Sequence, residues 1–116
     1  MWTDDWIGLP YAKGGRGPEY DCVGLVLALY KARHGIDLPE PEARLFGDDI
    51  DADARGWERV EDVCEGDVLV FHGTGRLHVG YALDGADMLH ITEHGSSRVE
   101  RWKRQAWTSR MIGAFR

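Results

Sequence analysis

The chain has little cysteine, little proline and no excess of positive charge, and each shortage removes a class of protein. Its two cysteines in 116 residues, Cys22 and Cys64, stand in unlike contexts. They make no framework of the kind that staples small secreted scaffolds, and both read as free thiols. Lys and Arg number 14 against 20 Asp and Glu, a formal charge of -6, which argues against binding a nucleic-acid backbone and against a polybasic membrane anchor. No segment approaches the length of an apolar membrane span, so no membrane insertion is expected. The opening MWTDDWIGLPYAKGG lacks the basic region and long apolar stretch of a secretory signal, which gives synthesis in the cytosol as the expectation. Internal repeats, heptads and low-complexity tracts are also missing.

What remains is 43% hydrophobic and 29% charged with five Trp, the composition of one compact domain, residues 1–116, with a single modest core. Trp2 to Leu9 reads as a short amphipathic helix or turn, and the Gly- and Pro-punctuated loop AKGGRGPE delivers the chain to Cys22. From Cys22 to His34, Val23, Val26, Leu27 and Tyr30 fall at helical spacing, Leu25 and Leu29 widen the buried face, and Gly35 is a natural C-cap. Pro39 to Arg59 is acidic and poorly periodic, with a short helical piece expected at Pro41–Phe46 and then an exposed connection. Strands are expected at Val68–Phe71, Leu77–Leu83, Met88–Thr92 and Met111–Phe115, separated by turns at HGTGR and DGAD. Arg98 to Trp107 is compatible with a short helix, an edge strand or a loop, the preferred reading being a strand at Ser97–Trp102. A helix followed by an antiparallel sheet is an α+β domain.

The chemistry gathers on Cys22, His78 and His90. A thiol at a helix N-terminus meets the positive end of the macrodipole and unpaired N–H groups, which favours the thiolate and can hold an oxyanion. A cysteine hydrolase needs that thiol, an imidazole to exchange its proton and a polar group to orient the imidazole, and these three residues can supply all of them. His78 and His90 lie in consecutive expected strands at an even separation, so they share a face if the Asp84–Asp87 turn keeps the register.

Several linked pieces, in order, resemble the NlpC/P60 cell-wall peptidases across nearly the whole chain. They are Gly8-Leu9-Pro10-Tyr11 with Gly14-Gly15, Asp21-Cys22-Val23-Gly24-Leu25-Val26, Gly35-Ile36-Asp37-Leu38-Pro39, Gly66-Asp67-Val68-Leu69-Val70-Phe71, His78-Val79-Gly80-Tyr81 and Met88-Leu89-His90. The resemblance implies a papain-like fold with the cysteine opening a helix packed on a central antiparallel sheet. It implies Cys22 as nucleophile, His78 as general base and acid, His90 as the orienting residue, Tyr11 at the oxyanion position and Asp21 as a substrate contact. It further implies a peptidoglycan stem peptide as substrate, commonly cut between γ-D-glutamate and the following diamino acid, with no cofactor. Val23 departs from the small hydroxyl residue that often follows the cysteine and, with the compact length, is similar to members found in phage tails and prophage clusters. Tail proteins are then possible partners and the wall of the next host the place of action.

Plainer readings stand beside these. Cys22 alone would more often be a buried apolar residue, His90 a satisfied core histidine, Tyr11 a packing aromatic and Asp21 a helix cap. Cys64 reads as structural, and His34, His72 and His94 as non-catalytic. Two other functions compete: a zinc site of Cys22, His78 and His90, although no close-spaced ligand pairs are present, and a catalytically silent tail module that keeps the fold.

Overall fold

Asp21 starts the main helix by accepting the Gly24 N–H at 2.7 Å, as an N-cap should. In the computed structural model, which describes residues 1–38 and 57–116, helix α1 runs Cys22–His34. It stops at Gly35, in the left-handed region at φ 67°, where the N–H groups of Gly35 and Ile36 return to the carbonyls of Lys31 and Tyr30. The buried stripe is Cys22, Leu25, Val26, Leu29 and Tyr30. That is one i, i+3, i+4, i+7 face, with Val23 and Leu27 at its margins rather than its centre.

Among the described residues six strands form one antiparallel sheet: β1 (Arg59–Val60), β2 (Val68–His72), β3 (Leu77–Ala82), β4 (Asp87–His90), β5 (Arg98–Arg101) and β6 (Met111–Phe115), in the spatial order β1-β6-β2-β3-β4-β5. A 3₁₀ turn at Trp2–Trp6 precedes α1, and a short helix α2 (Gln105–Thr108) links β5 to β6. The domain is α+β, as the element pattern implied. The stretch after Arg98 divides into a strand and a helix, and β1 begins at Arg59, the last residue of the expected exposed connection. The helical piece at Pro41–Phe46 lies outside the described residues.

Both faces of the sheet are covered. Because strand side chains alternate, Val68, Val70, Val79, Tyr81 and Leu89 point to one side and meet Leu25, Val26 and Leu29 of α1. Leu69, Phe71, Ala82 and Met88 point to the other and meet Trp102 and Trp107. Leu25 and Leu29 are fully buried, and each contributes about 1.5–3 kcal/mol by leaving water.

The β3–β4 turn fixes the register that matters for the site. The Asp84 carboxylate accepts the N–H groups of Ala86 and Asp87 at 2.8 and 2.7 Å, closing an Asx-type turn. Tyr81 then pairs with Leu89 and Ala82 with Met88.

Candidate active site

That register carries the two histidines onto one face as diagonal neighbours. His78 Nε2 lies 2.8 Å from His90 Nδ1, with ring centroids 5.1 Å apart. Gly80 makes the room, because a Cβ there would stand 2.9 Å from the Met88 sulfur and 3.5 Å from the His90 Cβ. Trp107 covers the pair, its ring 5.5 Å from His78 and 5.1 Å from His90.

The Cys22 thiol arrives from the opposite layer. In β3 the Ala82 N–H bonds toward β2, at Asp67 O, so odd-numbered residues of that strand bond toward β4. Pairing with β4 covers only Tyr81 and Ala82, which leaves the Val79 N–H to a different acceptor. That acceptor is the Cys22 thiol, which also receives the Val23 N–H. The thiol therefore sits in the gap where β3 and β4 part, against the residue next to His78. Among the described residues no hydrogen bond joins Cys22 to the His78 ring. In an unliganded site such bonds are often long and tighten when substrate binds.

The loop before α1 packs closely on its first turn. A Cβ on Gly24 would lie 2.1 Å from Gly15 O, so this position tolerates no side chain while the loop keeps its place. Asp21 is buried, and besides capping α1 it accepts Arg16 Nη1 at 2.8 Å. Tyr11 Oη accepts Arg76 Nη2 at 2.8 Å. Tyr11, Arg76 and Asp21 all interact electrostatically with Cys22. The Cys22 N–H makes no backbone hydrogen bond among the described residues, as expected for the first amide of a helix.

Electrostatics set the resting state. Burial pushes the Cys22 thiol up, the Val79 and Val23 amides and Arg76 pull it down, Asp21 pushes it up again, and the net direction is upward. The helix N-terminus thus does not by itself leave a resting thiolate, contrary to the expectation from position. Burial, then the neighbouring His90, lowers His78 to about 3. Burial lowers His90 to about 4 despite its hydrogen bond to Glu100. Both imidazoles are neutral at pH 7, so the pair keeps a lone pair that can accept a proton.

Two residues of this neighbourhood were not singled out from the sequence. Arg76 lies in the HGTGR turn, and Glu100 on β5 receives His90 Nε2 at 3.0 Å. The other histidines lie apart: His34 bonds Tyr81 Oη at 2.8 Å, and His72 and His94 are exposed. Cys64 is an exposed free thiol whose backbone N–H bonds Asp67. Among the described residues no three His, Cys, Asp or Glu side chains are grouped so as to hold a metal ion.

The model of the NlpC/P60 family matches residues 8–116. The chain belongs to the NlpC/P60 family. Among solved structures, the NlpC/p60 domain of the peptidoglycan hydrolase SagA is 25% identical, with a TM-score of 0.70 over 98% of this chain and 92% of that one. A Staphylococcus aureus protein described as similar to a lipoprotein of the NLP/P60 family is 26% identical, with a TM-score of 0.71 over 97% of this chain and 37% of its own. An NlpC/P60 family protein of Bacillus cereus shares the fold at 24% identity and a TM-score of 0.74, over 98% of this chain and 37% of its own. The chain thus spans a little over a third of the latter two. No curated protein sequence matches it. The family's papain-like arrangement is the one seen here, with the cysteine-bearing helix packed on the antiparallel sheet.

Proposed function

We propose that this NlpC/P60 domain is a cysteine peptidase that hydrolyses amide bonds in the stem peptides of bacterial peptidoglycan. The supporting observations are the hydrogen-bonded His78–His90 pair and a thiol that opens α1 against Val79, the residue after His78. Membership of the family, with a peptidoglycan hydrolase among its structural relatives, supports the substrate class.

In this reading His78 Nδ1 takes the Cys22 proton as Sγ attacks the scissile carbonyl carbon. The negative charge moves to the carbonyl oxygen, where the Cys22 N–H and the Tyr11 hydroxyl receive it. The protonated His78 then gives its proton to the departing amine, leaving a thioester. Water loses a proton to His78, attacks the thioester, and releases the carboxylate and the thiol.

The bond between γ-D-glutamate and the diamino acid is the proposed point of cleavage, and the cell wall the place of action. A phage-tail setting belongs to the same proposal and rests on Val23, the bulky residue after the cysteine. Mass spectrometry of purified stem peptides incubated with the protein and with Cys22→Ala tests it. Cleavage by the unaltered protein alone supports the peptidase and identifies the bond. No cleavage by either folded protein refutes it in favour of a silent tail module.

A further inference from the structure

We propose that Glu100 is a positioning residue of this centre, one that acts through His90 to hold both histidines in the tautomer leaving His78 Nδ1 free to take the Cys22 proton. The role in hydrolysis rests on His78 being the base, whereas the tautomers themselves can be read without any substrate.

Glu100 stands diagonally across from His90, since Met88 pairs with Glu100 and His90 with Arg98. Its carboxylate is about four-fifths buried, with 20% of the side chain exposed. Oε1 meets His90 Nε2 at 3.0 Å and Arg98 Nε at 3.3 Å. Oε2 meets Trp107 Nε1 at 2.6 Å and Arg104 Nη2 at 2.9 Å. Burial alone would raise its pKa, but the hydrogen bonds from Trp107 and His90 and the charge of Arg98 win and hold it down at about 2.

An ionised carboxylate only accepts hydrogen bonds, so the hydrogen between it and His90 must be on His90 Nε2. A neutral imidazole carries one N–H, which leaves a lone pair on His90 Nδ1. That nitrogen is 2.8 Å from His78 Nε2. A hydrogen bond there requires the proton on His78 Nε2, and His78 Nδ1 is left with the lone pair a base needs. The direction of the whole chain is thus set from its far end. Trp107 serves twice, because its indole N–H occupies one carboxylate oxygen while its ring packs on both imidazoles.

Glu100→Gln keeps the shape and removes that direction. An amide has one acceptor oxygen, and the Trp107 N–H and Arg104 compete for it on the side away from His90. Turned that way, the amide presents N–H to His90 Nε2, and the hydrogens of both imidazoles move to Nδ1. His78 then offers Cys22 a donor in place of a base.

The test is long-range ¹H–¹⁵N spectroscopy of the imidazoles at pH 7 in the unaltered protein and in Glu100→Gln, alongside the rate of Cys22 alkylation by iodoacetamide and kcat and KM on stem peptide. The expected result is Nε2–H on both rings in the unaltered protein and Nδ1–H in the variant. A parallel loss of alkylation rate, and a kcat reduced by about a hundredfold or more at little-changed KM, should accompany it. Nδ1–H on either ring of the unaltered protein overturns the proposal, and so does a variant with unchanged tautomers and rates. Should the variant not fold, the spectrum of the unaltered protein decides alone. An unaltered protein with the expected tautomers but no hydrolysis refutes the peptidase reading, and alkylation still reports the effect of Glu100.

Discussion

Mild acid should destabilise this fold before its carboxylates titrate. In the native state His78 and His90 are held neutral, down to about 3 and about 4, by burial first and by neighbouring charge second. In the unfolded chain both return to roughly 6.5. Between those values the unfolded state binds more protons than the native one, so stability rises with pH and is lost as pH falls below about 6.5. At pH 5.5 an unfolded histidine is about nine-tenths protonated, which favours unfolding by roughly 1.3 kcal/mol per histidine relative to pH 7.5, or about 2.5 kcal/mol for the pair. That figure requires only that both rings stay neutral in the fold at pH 5.5. Urea unfolding at the two pH values measures it directly, and in thermal melts it corresponds to roughly 10 °C. His90→Asn should remove about half of the loss. A stability that is flat between pH 7.5 and 5.5, or a loss unchanged in His90→Asn, refutes the reasoning.

Two further perturbations address other parts of the site. Gly24→Ala places a methyl 2.1 Å from Gly15 O and should cost about 1–3 kcal/mol in chemical denaturation through forced movement of the loop; an unchanged midpoint would show that the loop yields freely. Arg76→Gln removes a positive charge that favours the Cys22 thiolate and the donor to Tyr11, so alkylation by iodoacetamide at pH 7 should slow and its pH profile move to higher pH. An unmoved profile would show that Arg76 does not act on the thiol.

The parts of this molecule that were legible in the sequence are those written in local patterns. Helical spacing from Cys22, with Asp21 before it and Gly35 after it, describes α1 completely enough to place the thiol at its start. The even spacing of His78 and His90 became a shared face because the Asp84 turn preserved the register. Glu100 was one step further: alternation along the expected strand at Ser97–Trp102 puts it with Arg98 and Trp102, but which of them meets His90 depends on how residues 91–97 bring β5 back. The Arg76–Tyr11 bond joins residues 65 apart, and no local pattern announces it. β1 is two residues long, too short for any periodicity. The raised thiol pKa was hidden for a different reason, since it comes from tertiary burial opposing the helix-end field.

Cys22 and the paired imidazoles are mounted on opposite sides of one sheet, and this makes their relative placement mechanically separable. Cys22 moves with the layer of Leu25, Val26 and Leu29, whereas the imidazoles move with Phe71, Met88 and Trp107. Repacking either layer shifts one partner against the other across the fixed hydrogen-bond ladder of β2 and β3. Sequence drift in one core can therefore shift the thiol while the imidazole pair keeps its place, and drift in the other can do the reverse. A search for altered activity in this scaffold has two nearly independent adjustments available, neither of which requires a change at Cys22, His78 or His90.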